Sequence, residues 1–445
     1  MATTFHLISL GCAKNLVDSE VILGSLAAHK YTLESDVEKS DFLIVNTCGF
    51  IQPAVEEAIS EILELVTIKE QFPEKKVVVV GCLVQRYEGS LVDEFPEVDL
   101  FIGTEGPTQI GVLLDNLTAG TLTEKVILPD TFLMDSTHPR VLSTPHYRAW
   151  LKITEGCNNR CSYCMIPSIR GNLRSRAIDD LVQEAKQLEK QGVKELSLIA
   201  QDSTAYGNDL AGRNDNLETL MRSLLTETTI PWFRLLYLYP TGVTDTLLDI
   251  MAESDRVVPY LDIPVQHVND RILKLMNRPY GYEDLVQLVN RIRLKLPNIA
   301  LRTTFLVGFP GETDEEFLQI EKFLKEMRLD HVGVFPYTNE EGAPSEHFPG
   351  QLDEEIKNER KDHLLEVQAA LSSSIQRKYI DQVLPVIVEG VSSETDLLLE
   401  ARTQFQAPEV DGCVYINEGT AKVGDIVQVK ISDAQIYDLV GAIVD

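Results

Sequence analysis

Apolar positions follow three successive rhythms along the chain. Over residues 1–130, runs of β-branched residues alternate with stretches of helical period. The runs Thr4–Leu10, Asp41–Asn46, Lys76–Val80 and Val98–Ile102 predict strands, and Asp18–His29 and Pro53–Ile68 predict helices between them. Unbroken apolar strands suit a parallel sheet covered on both faces. Over residues 143–339 the alternation repeats in six units, with strands at Ala149–Ile153, Glu195–Ala200, Phe233–Leu238, Tyr260–Val265, Leu301–Val307 and Val332–Phe335. Amphipathic helices at Asp179–Gln191, Tyr282–Leu296 and Asp314–Met327 lie between them. Six βα units make an incomplete barrel, in which residues just past the strand ends face the chemistry.

A charged, helix-like connector follows over residues 352–378, and the texture then changes to short strands separated by turn residues. Leu384–Val388, Leu397–Arg402, Cys413–Asn417, Ile426–Ser432 and Ile436–Val444 predict a five-stranded barrel of oligonucleotide-binding type. The predicted class is therefore α/β with three domains: a parallel α/β domain over 1–130, an incomplete (βα)6 barrel with its connector over 143–375, and a small β-barrel over 378–445.

Charge narrows the choice of partner. The 445 residues carry a formal net charge of −29, which on average repels phosphate backbones and attracts basic proteins. From Asp381 onward, Arg402, Lys422 and Lys430 face twelve acidic residues, and Phe405, Tyr415 and Tyr437 are the few aromatics for stacking on bases. No apolar stretch approaches a membrane span, and the start Met1–His6 lacks the basic and apolar regions of a signal peptide. Seven cysteines is an odd number, so a reduced, cytoplasmic setting fits better than a disulfide framework.

Six of those cysteines fall into two sets. Cys157, Cys161 and Cys164 sit at i, i+4 and i+7 just past an apolar run, so a loop turns three thiols towards one place. Thiolates favour soft metals and iron–sulfur clusters. Structural zinc takes four closed ligands, and no fourth lies nearby in the sequence. Three thiolates on a four-iron cluster leave one iron open to a substrate. A zinc knuckle or three unrelated core cysteines are the alternatives that spacing leaves open. Cys12, Cys48 and Cys82 each follow the carboxyl end of a predicted strand in the first domain. In an open parallel sheet those ends line one edge, where ligands bind. That placement predicts a second three-thiolate cluster, the alternative being that buried cysteine is a common small hydrophobe. Cys413, on a predicted strand, reads as core.

Cys-x-x-x-Cys-x-x-Cys resembles the signature of the radical S-adenosylmethionine enzymes. The stretch Gly11–Glu20, Asn46-Thr47-Cys48 and Gly81-Cys82 resemble the N-terminal domain of the methylthiotransferases, and the last domain resembles their TRAM domain. Cys-Ala-Lys-Asn at 12–15 is more similar to the branch that modifies a ribosomal protein than to the tRNA branch. The resemblance implies two 4Fe-4S clusters. One, at Cys157, Cys161 and Cys164, reductively cleaves S-adenosylmethionine to a 5′-deoxyadenosyl radical. The other, at Cys12, Cys48 and Cys82, carries the sulfur to be inserted. A second S-adenosylmethionine supplies the methyl group, and the methylthio group enters at the β-carbon of an aspartate of the decoding-centre protein of the small ribosomal subunit. The implied partners are that basic ribosomal protein, free or in the assembled subunit, and a reducing electron donor, with the chain acting as a monomer. A radical is needed because an unactivated C–H bond has no usable acidity, so the cofactors carry the chemistry and no catalytic residue beyond the cluster ligands is expected.

Three strand-end residues are candidates for cofactor binding: Gln201 and Asp202 after the second barrel strand, and Gly308, whose lack of a side chain allows close backbone approach. Thr313 with Glu316 reads as a helix cap, and His267 as a hydrogen-bonded structural histidine. Two rival readings remain at this stage. A tRNA adenosine methylthiotransferase uses the same chemistry but conflicts with the charge. A non-enzymatic iron–sulfur protein would hold a cluster without cleaving S-adenosylmethionine. The two triads lead to a first prediction: anaerobically reconstituted protein is expected to carry about eight irons per chain by colorimetric assay. A value near four would remove the N-terminal site.

Overall fold

The structure, a computed structural model, describes residues 3–129, 133–212 and 214–444. The chain start at Met1 and the first domain limit at Asp130 lie outside the described residues. The first sheet has six parallel strands, β1 (Thr4–Ser9), β2 (Thr32–Leu33), β3 (Phe42–Thr47), β4 (Lys76–Gly81), β5 (Leu100–Ile102) and β6 (Val126–Ile127), in the order β2-β1-β3-β4-β5-β6. Four of these carry the apolar runs read from the sequence. The two-residue edges β2 and β6 are too short to leave a periodic signal. Strand order reverses between β1 and β3, and such a switch point is where doubly wound sheets bind ligands. Cys12 and Cys48 follow those two strands.

The central sheet contains β7 (Arg148–Lys152), followed after the short hairpin of β8 (Thr154–Glu155) and β9 (Arg174–Ser175) by β10 (Glu195–Ile199), β11 (Trp232–Leu235), β12 (Val257–Asp262), β13 (Ala300–Val307) and β14 (His331–Pro336). The six long strands run parallel in sequential order, with β7 and β14 at the open edges. Alternate residues serve different neighbours. Leu151, Leu198, Leu235 and Leu261 join the cluster packed against the outer helices. Trp150, Ile199, Trp232 and Tyr260 turn inward, into a cluster completed by Val17 and Val21 of the first domain and by Ile387 and Ala407 of the last. The inner face of the open barrel is thus filled from both neighbouring domains, which is why its strands read as unbroken apolar runs.

Helix ends follow local chemistry. Thr313 caps the helix Asp314–Met327 in a reciprocal box with Glu316. The connector is the helix Glu354–Gln376. The last domain closes β15 (Val383–Val391), β16 (Leu399–Thr403), β17 (Val414–Glu418), β18 (Ile426–Ala434) and β19 (Leu439–Ile443) into a barrel in the order β15-β16-β17-β19-β18. Cys413 stands one residue ahead of β17 and is half-buried rather than a strand core residue, with its N–H given to Asp438 Oδ1 at 2.8 Å.

Buried ion pairs lock the last domain to the barrel. Glu195, fully buried on β10, accepts from Arg234 Nε at 2.7 Å and from Arg402 Nη2 at 2.5 Å. Tyr260 donates to Asp411 at 2.7 Å. Burial pushes the Glu195 carboxyl up, but Arg402 and Arg234 more than offset it and hold it at about 2, against the usual 4.5. The folded chain therefore refuses a proton that the unfolded chain takes. This stabilisation is present above about pH 4.5 and lost as pH falls towards 2. Glu195→Gln, which leaves buried Arg234 without a carboxylate and Arg402 with Glu389 alone, is expected to lower the free energy of unfolding by about 3–5 kcal/mol in urea melts at pH 7. The variant should also lose part of the wild type's stability decline between pH 4.5 and 2.

Candidate functional site

The first triad is built by the turns that follow β1, β3 and β4. Gly11 has φ +89, and a Cβ placed there would lie 2.8 Å from Cys48 Cβ and 3.1 Å from Cys48 Sγ, so glycine is what lets the β1 and β3 ends close together. Cys12 is the N-cap of the helix Ala13–Ala28, and Cys82 opens the helix Cys82–Tyr87. Amides stitch the turns: Asn15 Nδ2 donates to Leu10 O at 2.6 Å, and Asn46 Nδ2 to Asn15 O at 3.0 Å. The three thiols lie within each other's electrostatic reach. Cys12 is exposed, whereas Cys48 and Cys82 are buried. Desolvation by the surrounding protein pushes the Cys12 thiol up, but Lys14, Arg170 and two helix N–H groups bring it below its ordinary value. Cys48 and Cys82 are raised by burial, Cys82 to about 12.

The second triad lies on the loop after β8. Gly156 adopts φ +71, where a Cβ would sit 2.2 Å from Asn172 O. Cys157 N–H donates to Gly171 O at 3.1 Å, and Arg160 spans the loop to Cys157 O at 2.9 Å and Asn172 Oδ1 at 2.7 Å. The turn before Tyr280 holds the loop from the other side, with Ser162 N–H on Met276 O and Asn277 Nδ2 on Arg160 O. Cys157 and Cys161 are buried and Cys164 half-buried, with burial raising Cys157 and taking Cys164 to about 12. Among the described residues no three ligating side chains converge as the ligands of a single ion. A four-iron cluster places each thiolate on a different iron, so its ligands stand around a volume instead of a point. The all-sulfur donor sets fit that group.

The two triads share a neighbourhood. Cys82 packs in one apolar cluster with Met165, Ile169, Ala343 and Phe50, and Met165 is the residue after Cys164. Arg170, 3% exposed, reaches from the second triad's loop to the first. Its Nη2 is 3.2 Å from Cys82 Sγ and 3.3 Å from Asn15 Oδ1, and its Nη1 donates to Asp18 at 2.8 Å and Glu155 at 3.1 Å. Lys152 Nζ pairs with Glu155 at 2.8 Å and also with Asp18. Burial raises the Glu155 carboxyl, and Lys152 and Arg170 pull it far below the carboxylate range. On the rim, Glu340 accepts from Arg86 at 2.9 Å and from Gln52 N–H at 2.8 Å, tying the barrel to the first domain again.

The cofactor candidates divide. Gln201 donates to Glu155 Oε1 at 3.2 Å, and its own buried Oε1 lacks a hydrogen-bond partner among the described residues. Asp202 accepts from Asn159 Nδ2 at 2.7 Å, beside Cys157, and from Thr204. Both thus stand against the second triad. At Gly308 the open space read from the sequence is filled. A Cβ there would meet Lys357 Cγ at 2.4 Å, and the Gly308 N–H is given to Glu312 at 3.0 Å. His267 is buried, its Nδ1 accepting from Asn269 N–H at 2.9 Å and its Nε2 3.5 Å from Glu312. Sequence reasoning passed over Asp18, Lys152, Glu155 and Arg170. The signal for Lys152 was a lone charge inside an apolar strand, which must find a partner when buried.

Comparison with known proteins follows the same division. Residues 4–103 match the uncharacterized protein family UPF0004, residues 151–324 the radical SAM superfamily, and residues 380–444 the TRAM domain. The chain is 62% identical over 99% of its length to the ribosomal protein uS12 methylthiotransferase RimO of Desulfotalea psychrophila, 99% of which is covered. It is 47% identical to the protein of the same name in Geotalea uraniireducens, with 98% of each chain covered. Among solved structures, the radical S-adenosylmethionine methyltransferase TsrM from Kitasatospora setae, with cobalamin and a [4Fe-4S] cluster bound, matches at TM-score 0.57 and 15% identity, over 78% of this chain and 74% of that one. The cobalamin-dependent radical enzyme OxsB matches at TM-score 0.53 and 12% identity, over 82% and 56%. These two likenesses concern the fold.

The Arg170 network carries its own test. Arg170→Met leaves Asp18 and Glu155, both buried, with one cation between them. The variant is expected to lose about 3–5 kcal/mol of stability by urea denaturation, whereas Lys422→Met, on the exposed surface, should change it by less than about 0.5 kcal/mol.

Proposed function

The chain belongs to the RimO family of ribosomal protein uS12 methylthiotransferases, and we propose that it adds a methylthio group to the β-carbon of an aspartate of uS12 by radical S-adenosylmethionine chemistry. The observation that carries this reading is the meeting of two three-cysteine sets around Arg170 and Met165. Cys157, Cys161 and Cys164 would hold the cluster that engages S-adenosylmethionine, and Cys12, Cys48 and Cys82 the auxiliary cluster. When bound, these groups supply a radical able to take hydrogen from an unactivated carbon, together with the sulfur that replaces it. Gln201, with a buried acceptor lacking a partner among the described residues, Asp202 and Gly308 are assigned to S-adenosylmethionine binding. Met165, Phe50, Ile169 and Ala343 pack against Cys82 and give the first triad an apolar lining.

The partner is the basic ribosomal protein, alone or in the subunit, and tRNA is disfavoured. Of the three cations of the last domain, Arg402 is spent on Glu195 and Glu389 in the interior, which leaves Lys422 and Lys430 at the surface. Phe405 stacks on Tyr379, ring centroids 5.1 Å apart, so it is unavailable to a base. The chain works as a monomer in the cytoplasm with a low-potential electron donor, and its domain limits are 1–130, 143–375 and 378–445. Among the described residues no helix is long and apolar enough to cross a membrane.

Two variants separate the roles. Cys161→Ala is expected to abolish 5′-deoxyadenosine formation by reduced, reconstituted protein, measured by chromatography. Cys48→Ala is expected to retain it while giving no methylthiolated uS12 by mass spectrometry. Methylthiolated product from Cys48→Ala would refute the auxiliary role.

A further inference from the structure

Lys14 is the second residue past Cys12, and its side chain is 8% exposed. Most buried cations in this molecule are met by carboxylates, Lys152 by Asp18 and Glu155, Arg140 by Glu20 and Glu184, Arg234 and Arg402 by Glu195, while Lys75 is met by the carbonyls of Glu38 and Ser40. Among the described residues Lys14 has no carboxylate within ion-pair distance and no hydrogen bond from its ammonium. Its nearest partner is the face of Tyr237, 3.3 Å from Nζ to the ring centroid. A cation–π contact compensates a desolvated ammonium only partly. The position is therefore held at a cost that folding alone does not explain.

Its location gives the reason. Tyr237 follows β11 at the mouth of the barrel and holds a left-handed φ of +58. It is pinned by its N–H to Asp262 at 3.1 Å and by its carbonyl to Ser203 N–H at 2.9 Å, next to Asp202. Lys14 thus stands between the auxiliary triad on one side and the strand ends that bear Gln201 and Asp202 on the other. Lys14 also acts on Cys12, whose thiol it lowers together with Arg170 and the N–H groups of Lys14 and Asn15, so its ammonium lies within electrostatic reach of the auxiliary triad.

We propose that Lys14 is the residue that receives the carboxylate of the target aspartate. This inference rests on the methylthiotransferase reading and deepens it. In an aspartate the β-carbon is bonded directly to the carboxyl group. An ammonium that grips the carboxylate therefore holds the reacting carbon between the two triads. The incoming charge completes the ion pair that Lys14 lacks, and an amide in its place leaves the ammonium buried and uncompensated. Lys14 is on this account a specificity residue, selecting an acidic side chain over its neutral isostere.

The test compares uS12 with uS12 in which the target aspartate is replaced by asparagine. Affinity for each is measured by calorimetry on cluster-reconstituted protein without reductant, so that no turnover occurs. The wild type is expected to bind the aspartate form roughly 10- to 100-fold more tightly. Lys14→Met should bring the ratio close to one, and Lys14→Arg should keep most of it. An equal preference in wild type and Lys14→Met overturns the proposal, as does a wild-type ratio near one, which needs no variant to fold. Lys14→Met that lowers iron content while leaving the ratio intact assigns the lysine to the cluster and overturns it too. Absence of binding to either form by the wild type, with no methylthiolated uS12 in turnover assays, would instead sink the underlying functional reading.

Discussion

One buried guanidinium must satisfy partners drawn from both halves of the molecule. Arg170 leaves the loop of the second triad and ends against Cys82, Asn15 and Asp18 of the first domain and Glu155 of its own. An arginine in that position can be neither exposed nor deprotonated, so its charge must be met wherever it goes. The two domains are therefore not free to slide past one another. Displacement by even a few ångströms would part Asp18 from Arg170 and Lys152 and leave buried charges unpaired. A reaction that passes an atom from one cluster site to a carbon activated at the other needs such a fixed separation, and an apolar interface alone would not set it, because dispersion contacts tolerate sliding.

The same constraint explains which parts of the molecule are legible in the sequence. The long strands β3 and β4 carry runs of apolar residues, since both are buried almost throughout, and those runs stand out in any window. The cysteine sets are equally plain, because a thiol just past a strand end is marked by both its type and its place. Edge strands of two residues, such as β2 and β6, carry no period and were missed. Charged residues that act through partners distant in sequence were also missed. Arg170 and Asp18 are 152 positions apart, and nothing near either predicts the other. At Gly308 the side that a Cβ would occupy is taken by Lys357 of the connector helix, a contact that likewise leaves no mark near the glycine in the sequence.

Docking of the last domain shows what acidity does here. A barrel of this type offers its surface to nucleic acid through exposed cations and aromatic faces. In this chain the arginine turns inward to Glu195 and Glu389, and Phe405 is folded onto Tyr379. Glu195 is drawn from the central sheet, so this arginine's charge holds the last domain to the central one. With those groups removed from the surface, the domain presents mainly carboxylates, which favour a basic polypeptide.

Two kinds of buried cation follow from these arrangements, and the difference between them is informative. Arg170, Lys152, Arg234 and Arg402 are each paired with carboxylates of the chain, so they contribute to architecture. Lys14 has no carboxylate partner among the described residues and lies on the face of Tyr237. Its positive charge stands beside Cys12 and against a residue that follows a barrel strand. In a water-poor site an open charge is selective, because any neutral group entering there fails to compensate it. The arrangement that makes the interior rigid also makes this exception a recognition element.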